Sequence, residues 1–161
     1  MQYSALNQKL KQTKYAVIFF EKYAKNCHQI LQFSKALYRG CMNYEQFNKF
    51  CGSLHATTYI VQWGKSHVWK VGGKVFAIGG WGDNEHPAFV FKTADLDFEF
   101  LKESEGYKPA PYFANRGMKW IQLFHSTKEN DDLIYYLTES HRLVSLGLTK
   151  VKQKELGLNQ C

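Results

Sequence analysis

The sequence is short of proline, with 3 in 161 residues, and its 4 cysteines are scattered. Cys27, Cys41, Cys51 and Cys161 make no CxxC pair and no zinc-finger spacing. That argues against a secreted, disulfide-built domain and points to a reducing cytoplasm. Long apolar runs are missing too. Near the N-terminus the longest is Ala16 to Phe20, too short for a signal-peptide core and followed by no small-residue cleavage site. No stretch is long enough to span a bilayer, so a protein without membrane contact is expected. Catalytic signatures are absent. There is no GxSxG, no dinucleotide fingerprint and no P-loop, since Gly72-Gly73-Lys74 lacks the rest of that motif. His55, His67, His86, His125 and His141 form neither HxxxH nor HExxH. No enzyme activity, cofactor or metal is therefore expected. Asp83, Glu85 and His86 cluster as an acid and base would, and a polar turn explains them equally well.

Carboxylates are also the minority charge, 14 against 21 Lys and Arg, for a net charge of +7. Such an excess invites a nucleic-acid reading, but it is unevenly placed. Residues 1–41 carry seven basic residues and one acidic one, whereas residues 42–161 are nearly balanced. The chain thus divides into a basic N-terminal extension, 1–41, and a domain, 42–161. The extension has no glycine or proline before Gly40, so helix is allowed there. A basic arm for nucleic acid or acidic membrane is one reading of it. A loosely docked extension, or an upstream stretch read from an early start codon, is the stronger one.

What is present is aromatic residues, 16% of the chain, arranged with clear periodicity. The stretch Trp63 to Trp81 predicts a β-hairpin, with His67–Val71 and Lys74–Ile78 joined by Gly72-Gly73. Glycine takes the positive φ that a type I′ turn needs at both central positions. That register pairs Trp69 with Phe76 and His67 with Ile78, and puts Trp69, Val71, Phe76 and Ile78 on one buried face. Before it, Tyr44, Phe47, Phe50, Cys51 and Leu54 recur at helical spacing over 43–54, with Asn43 as N-cap. Thr57–Trp63 predicts a strand. After the hairpin come a strand over Pro87–Lys92 and a helix capped by Thr93 with Leu96, Phe100 and Leu101 inward. An irregular Lys108–Pro111 follows, then a strand over Met118–Phe124, a long helix over 130–145 and a short helix within 148–156. The order α-β-β-β-β-α-β-α predicts an α+β fold, an antiparallel sheet with helices on one face. Trp69 and Trp120 are expected in the core and Trp81 at the surface, where a tryptophan can stack on bases.

Four segments in this order resemble the MmcQ/YjbR family of small bacterial proteins. They are VWKVGGKVFA at 68–77, PAFVFKT at 87–93, YFANR at 112–116 leading to Trp120, and LIYYL with SHRLV at 133–137 and 140–144. The resemblance covers about residues 43–157. It implies a frataxin-like (CyaY-like) fold and a DNA-binding role through two projecting hairpins, a double wing. The acidic first helix with which frataxin-like proteins bind iron has no counterpart here, where only Glu45 is acidic. The residues that could meet phosphate or base are Lys74 at the hairpin tip, Lys92, Asn115, Arg116, Lys119, Arg142, Lys150 and Lys152. Lys70 is expected instead to protect an exposed strand from edge pairing. The alternative to DNA is a protein-interaction or small-ligand module. A contiguous basic stripe through Arg116, Lys119 and Arg142 would favour DNA, and an apolar recess at Trp81 or Tyr112 would favour a ligand.

Overall fold

A computed structural model describes residues 41–81, 86–124 and 131–160. Residues 1–40 of the extension and the cluster residues Asp83 and Glu85 lie outside the described residues, as do His125, Cys27 and Cys161. Met42 is already part of the core, 2% exposed. Asn43 caps helix α1 (Tyr44–Ser53) in a reciprocal box. Its side-chain oxygen accepts from the Gln46 backbone N–H at 2.8 Å, and its own N–H donates to Gln46 Oε1 at 3.0 Å.

Strands β1 (Thr57–Gln62), β2 (Ser66–Val71) and β3 (Lys74–Gly79) follow. Then come β4 (Phe89–Lys92), helix α2 (Asp95–Leu101), β5 (Tyr107–Pro109) and a 3-10 turn (Ala114–Arg116). β6 (Trp120–Leu123), α3 (Asp131–Leu146) and α4 (Lys150–Glu155) complete the order. The six strands form one antiparallel sheet in the order β1-β2-β3-β4-β6-β5. Helix α1 packs on β1 to β3, α3 on β3 and β4, and α2 at the β5 and β6 end. The fold is α+β, as the periodicity predicts.

The Gly72-Gly73 link has φ of 56° and 83° and sets Val71 opposite Lys74. Beyond it the register departs from expectation. A bulge inserts Phe76, so Trp69 lies opposite Ala77, Val68 opposite Ile78 and His67 opposite Gly79. A bulge turns two successive side chains toward the same side. Phe76 and Ala77 therefore both join the core beneath the helices, with Trp69, Val71, Phe47, Phe91 and Leu137. Ile78 moves to the opposite face, with Val68, Val90, Ala110 and Trp120. Both faces of the sheet consequently carry a core.

Three local expectations are also corrected. Ala94, not Thr93, is the N-cap of α2, because the Thr93 hydroxyl donates to the Lys119 carbonyl instead. Leu96 is 73% exposed, and the inward side of this two-turn helix is made by Phe98, Phe100 and Leu101. Lys108 and Pro109 belong to a strand, which proline tolerates because β5 is the sheet edge. The α3 stripe follows its period, with Leu133, Leu137, Ser140 and Val144 buried. Ser140 ties helix to sheet: its hydroxyl donates to Phe76 O at 2.6 Å and accepts from Lys92 N at 2.8 Å.

Candidate nucleic-acid interface

The face of the sheet that carries no helix among the described residues, hereafter the helix-free face, is built by alternation. Residues directly opposite in an antiparallel pair share a face. One row across it holds Thr58, Lys70 and Val75, and Lys92 and Trp120 prolong it. The next holds Ile60, Val68, Ile78, Val90, Gln122 and Lys108. These rows contain no acidic residue. Lys70 and Lys92 are half-buried, on strands two spacings apart, about 10 Å. Lys70 is placed here because β2 is an interior strand, paired on both sides. It cannot be protecting an edge, which corrects the expectation for it.

The residues singled out for nucleic acid are not brought together. Lys74 lies on the helix side, where its Nζ donates to Gly147 O at 2.9 Å. The hairpin tip beside it is docked, since a Cβ on Gly72 would sit 2.5 Å from Leu148 Cδ1. It does not project as a wing. Arg142 forms a two-bond pair with Glu139 on α3, and Lys152 pairs with Glu155 at 2.9 Å. Lys150 is exposed at the start of α4, away from the helix-free face. Lys119 meets Glu99 at 3.4 Å and lies over the Phe98 ring at 4.7 Å. Glu99 also pairs with Lys102, and hydrogen bonding to Lys102 is the main cause that lowers its pKa. Asn115 and Arg116 are exposed on the 3-10 turn, ended by Gly117 at φ 71°. The contiguous stripe through Arg116, Lys119 and Arg142 that would have favoured DNA is therefore not formed. Lys92 and Arg116 remain at the helix-free face and its border, with Lys70 added.

The same face ends in an aromatic cap that spacing alone did not reveal. Phe113 stacks on Trp120, with centroids 4.3 Å apart and 13° between planes. Trp81 lies edge-on to Phe113 and is itself sandwiched. Trp63 stacks on it at 5.8 Å and 13°, and Tyr112 at 5.7 Å and 10°. Trp81 is thus partly covered, and its two neighbours are the exposed rings, Trp63 at 52% and Tyr112 at 68%. Below them Gln122 Nε2 donates to the Trp81 carbonyl. Gln122 Oε1 is buried without a hydrogen-bond partner among the described residues.

His67 has a structural role. His67 Nδ1 lies within hydrogen-bond distance of Tyr59 OH, at 2.8 Å, and of Asn48 Nδ2, at 3.1 Å, while Asn48 Oδ1 accepts from Trp69 Nε1 at 2.9 Å. Among the described residues no group of three His, Cys, Asp or Glu could hold a metal, and no helix is long and apolar enough to cross a membrane. Cys51 is fully buried, and burial pushes its thiol pKa well up, so it is a core residue and not a nucleophile.

Compared with known proteins, residues 52–143 match the family model described as YjbR. The crystal structure of the Deinococcus radiodurans protein DR2400, with its DUF419 domain, superposes with a TM-score of 0.62 at 22% identity. That match covers 71% of this chain and 87% of that one. A Pseudomonas syringae protein solved by structural genomics gives 0.53 at 18% identity, over 63% of this chain and 98% of that one. At such identities these two carry the fold alone. No curated protein sequence matches significantly.

Proposed function

The chain belongs to the YjbR family, and from that footing we propose a non-enzymatic binding protein that holds DNA at the cationic margin of the helix-free face, whose middle, Val68, Ile78 and Val90, is buried. One observation carries the reading: Lys70 and Lys92 on that face, with Arg116 at its border, form no ion pair with a carboxylate among the described residues. Unpaired cations can neutralise phosphates without first breaking a salt bridge. The double-wing form of the reading shifts accordingly. The exposed Trp63-Gly64-Lys65 turn of the β1–β2 hairpin takes the role that the docked Gly72-Gly73 tip cannot. The proposed location is the cytoplasm, where the buried thiol of Cys51 would stay reduced.

Fluorescence anisotropy on the full chain across a salt series tests this. Binding should weaken steeply with salt. Lys70→Ala, Lys92→Ala and Arg116→Ala together should flatten the log–log slope by roughly 0.9 per lost phosphate contact. Lys150→Ala and Lys152→Ala should leave it unchanged. An absence of binding at low salt would remove the DNA reading. The protein- or small-ligand alternative would then lead, supported by the exposed Tyr59, Ile60 and Val61 of edge strand β1.

A further inference from the structure

Three turns far apart in sequence each place an aromatic residue where a small polar one would be usual. Trp63 closes β1, Trp81 follows β3, and Tyr112 sits in the loop after Pro111. Trp63 and Tyr112 hold positive φ, 48° and 67°, a region bulky side chains avoid. The fold thus holds these two residues in unfavourable backbone geometry while burying them poorly, at 52% and 68% exposure. A role in the core accounts for Trp81 and Phe113, which pack against Val68, Ile78 and Trp120. It does not account for the outer two rings. Their near-parallel stacking on Trp81 leaves an ordered run of π-faces at the rim of the sheet. Each exposed ring has an exposed cation close by in sequence, Lys65 two residues after Trp63 and Arg116 four after Tyr112. Flat rings accompanied by cations match a chain of planar bases joined by phosphates.

We propose that the Trp63–Trp81–Tyr112 stack is a platform for unpaired nucleobases, so that the DNA this protein prefers is single-stranded or locally melted. The inference rests on the DNA reading above and narrows it. Every ring has a π-face to offer any base, so the platform selects unpaired bases without selecting sequence. In a duplex the base faces are occupied by their neighbours and cannot reach Trp63 or Tyr112.

The test compares an oligodeoxythymidine of about 20 nucleotides, longer than the roughly 4–16 of one typical site, with a mixed-sequence duplex. Both are titrated against the full chain by anisotropy and by quenching of tryptophan fluorescence. The single strand should bind more tightly and quench more. Trp63→Ala and Tyr112→Ala should each weaken it by roughly five- to a hundredfold, with duplex affinity unchanged. Trp63→Phe and Tyr112→Phe keep a π-face and should retain most of the affinity, which separates stacking from damage to the turn. Wild-type affinity for the single strand in both alanine variants, with Lys70→Ala and Lys92→Ala still weakening binding, would overturn the platform and leave the DNA reading standing. Failure of both nucleic acids to bind at low salt would overturn the two together.

Discussion

His141 shows how one residue of the family-like SHRLV segment serves stability. Its ring meets Phe76 edge-on at 5.1 Å, and its Nε2–H donates to the His55 carbonyl at 2.8 Å. Burial, the leading cause, lowers its pKa below the ordinary histidine value, against the bond to His55, which acts to raise it. The unfolded chain then holds a proton on this imidazole more tightly than the folded one does. Stability from this site is complete above the unfolded value of about 6.5 and is lost as pH falls through the folded value. Thermal melts across that window should show a falling Tm on acidification. His141→Gln, which keeps a donor but cannot titrate, should flatten the fall. Gly79 makes a second residue-scale case, of a different kind. A Cβ there would lie 2.8 Å from Phe47 Cε1 and 3.4 Å from Tyr44 Cδ1. Phe47 is wholly buried and packed on Phe89 at 5.0 Å, so it cannot step aside. Gly79→Ala should cost about 1–3 kcal/mol of unfolding free energy in a denaturant titration.

Elements decide what could be read before the fold was known. α1 was legible to its cap because Asn43, Glu45 and the period of Phe47, Phe50 and Cys51 are all local. The hairpin turn was legible because glycine chemistry at Gly72 and Gly73 is local as well. The bulge at Phe76 was not. Whether Phe76 or Ile78 enters the helix-side core depends on Phe47, Phe91 and α3, which lie far away in sequence. The cationic residues failed for the same reason. Lys119 looks available until α2 brings Glu99 to it across 20 positions, and Lys74 until the end of α3 offers a carbonyl. The aromatic stack needs three loops to converge, so only its members were visible, never the stack. The docked tip also makes a prediction. Gly72→Ala adds a Cβ against Leu148 at a φ of 56°, and so should destabilise. Gly73→Asn should be milder, since space there is open and Asn tolerates left-handed φ. The two are separable by the shift in denaturation midpoint.

At the scale of the whole molecule, charge and stability are nearly decoupled. Of the described ion pairs, Glu99 with Lys102 and Lys119, and Glu155 with Lys152, have at least one partner well exposed, whereas Glu139 with Arg142 is half-buried on one helix. Exposed pairs contribute about 0–1 kcal/mol each and are screened by salt. The two cores that sandwich the sheet, from Phe47 and Phe91 on one side to Val90 and Trp120 on the other, are apolar and indifferent to ionic strength. Phosphate binding through Lys70, Lys92 and Arg116 would be the reverse, since every contact releases counterions. Raising salt from about 50 to 200 mM should therefore leave Tm nearly unchanged while DNA affinity collapses. A Tm that tracked the affinity would mean that the same lysines hold the sheet together, and Lys70→Ala with Lys92→Ala would then lower Tm without any nucleic acid present. A constant Tm assigns the unpaired cations of the helix-free face to a partner, because the fold itself does not use them.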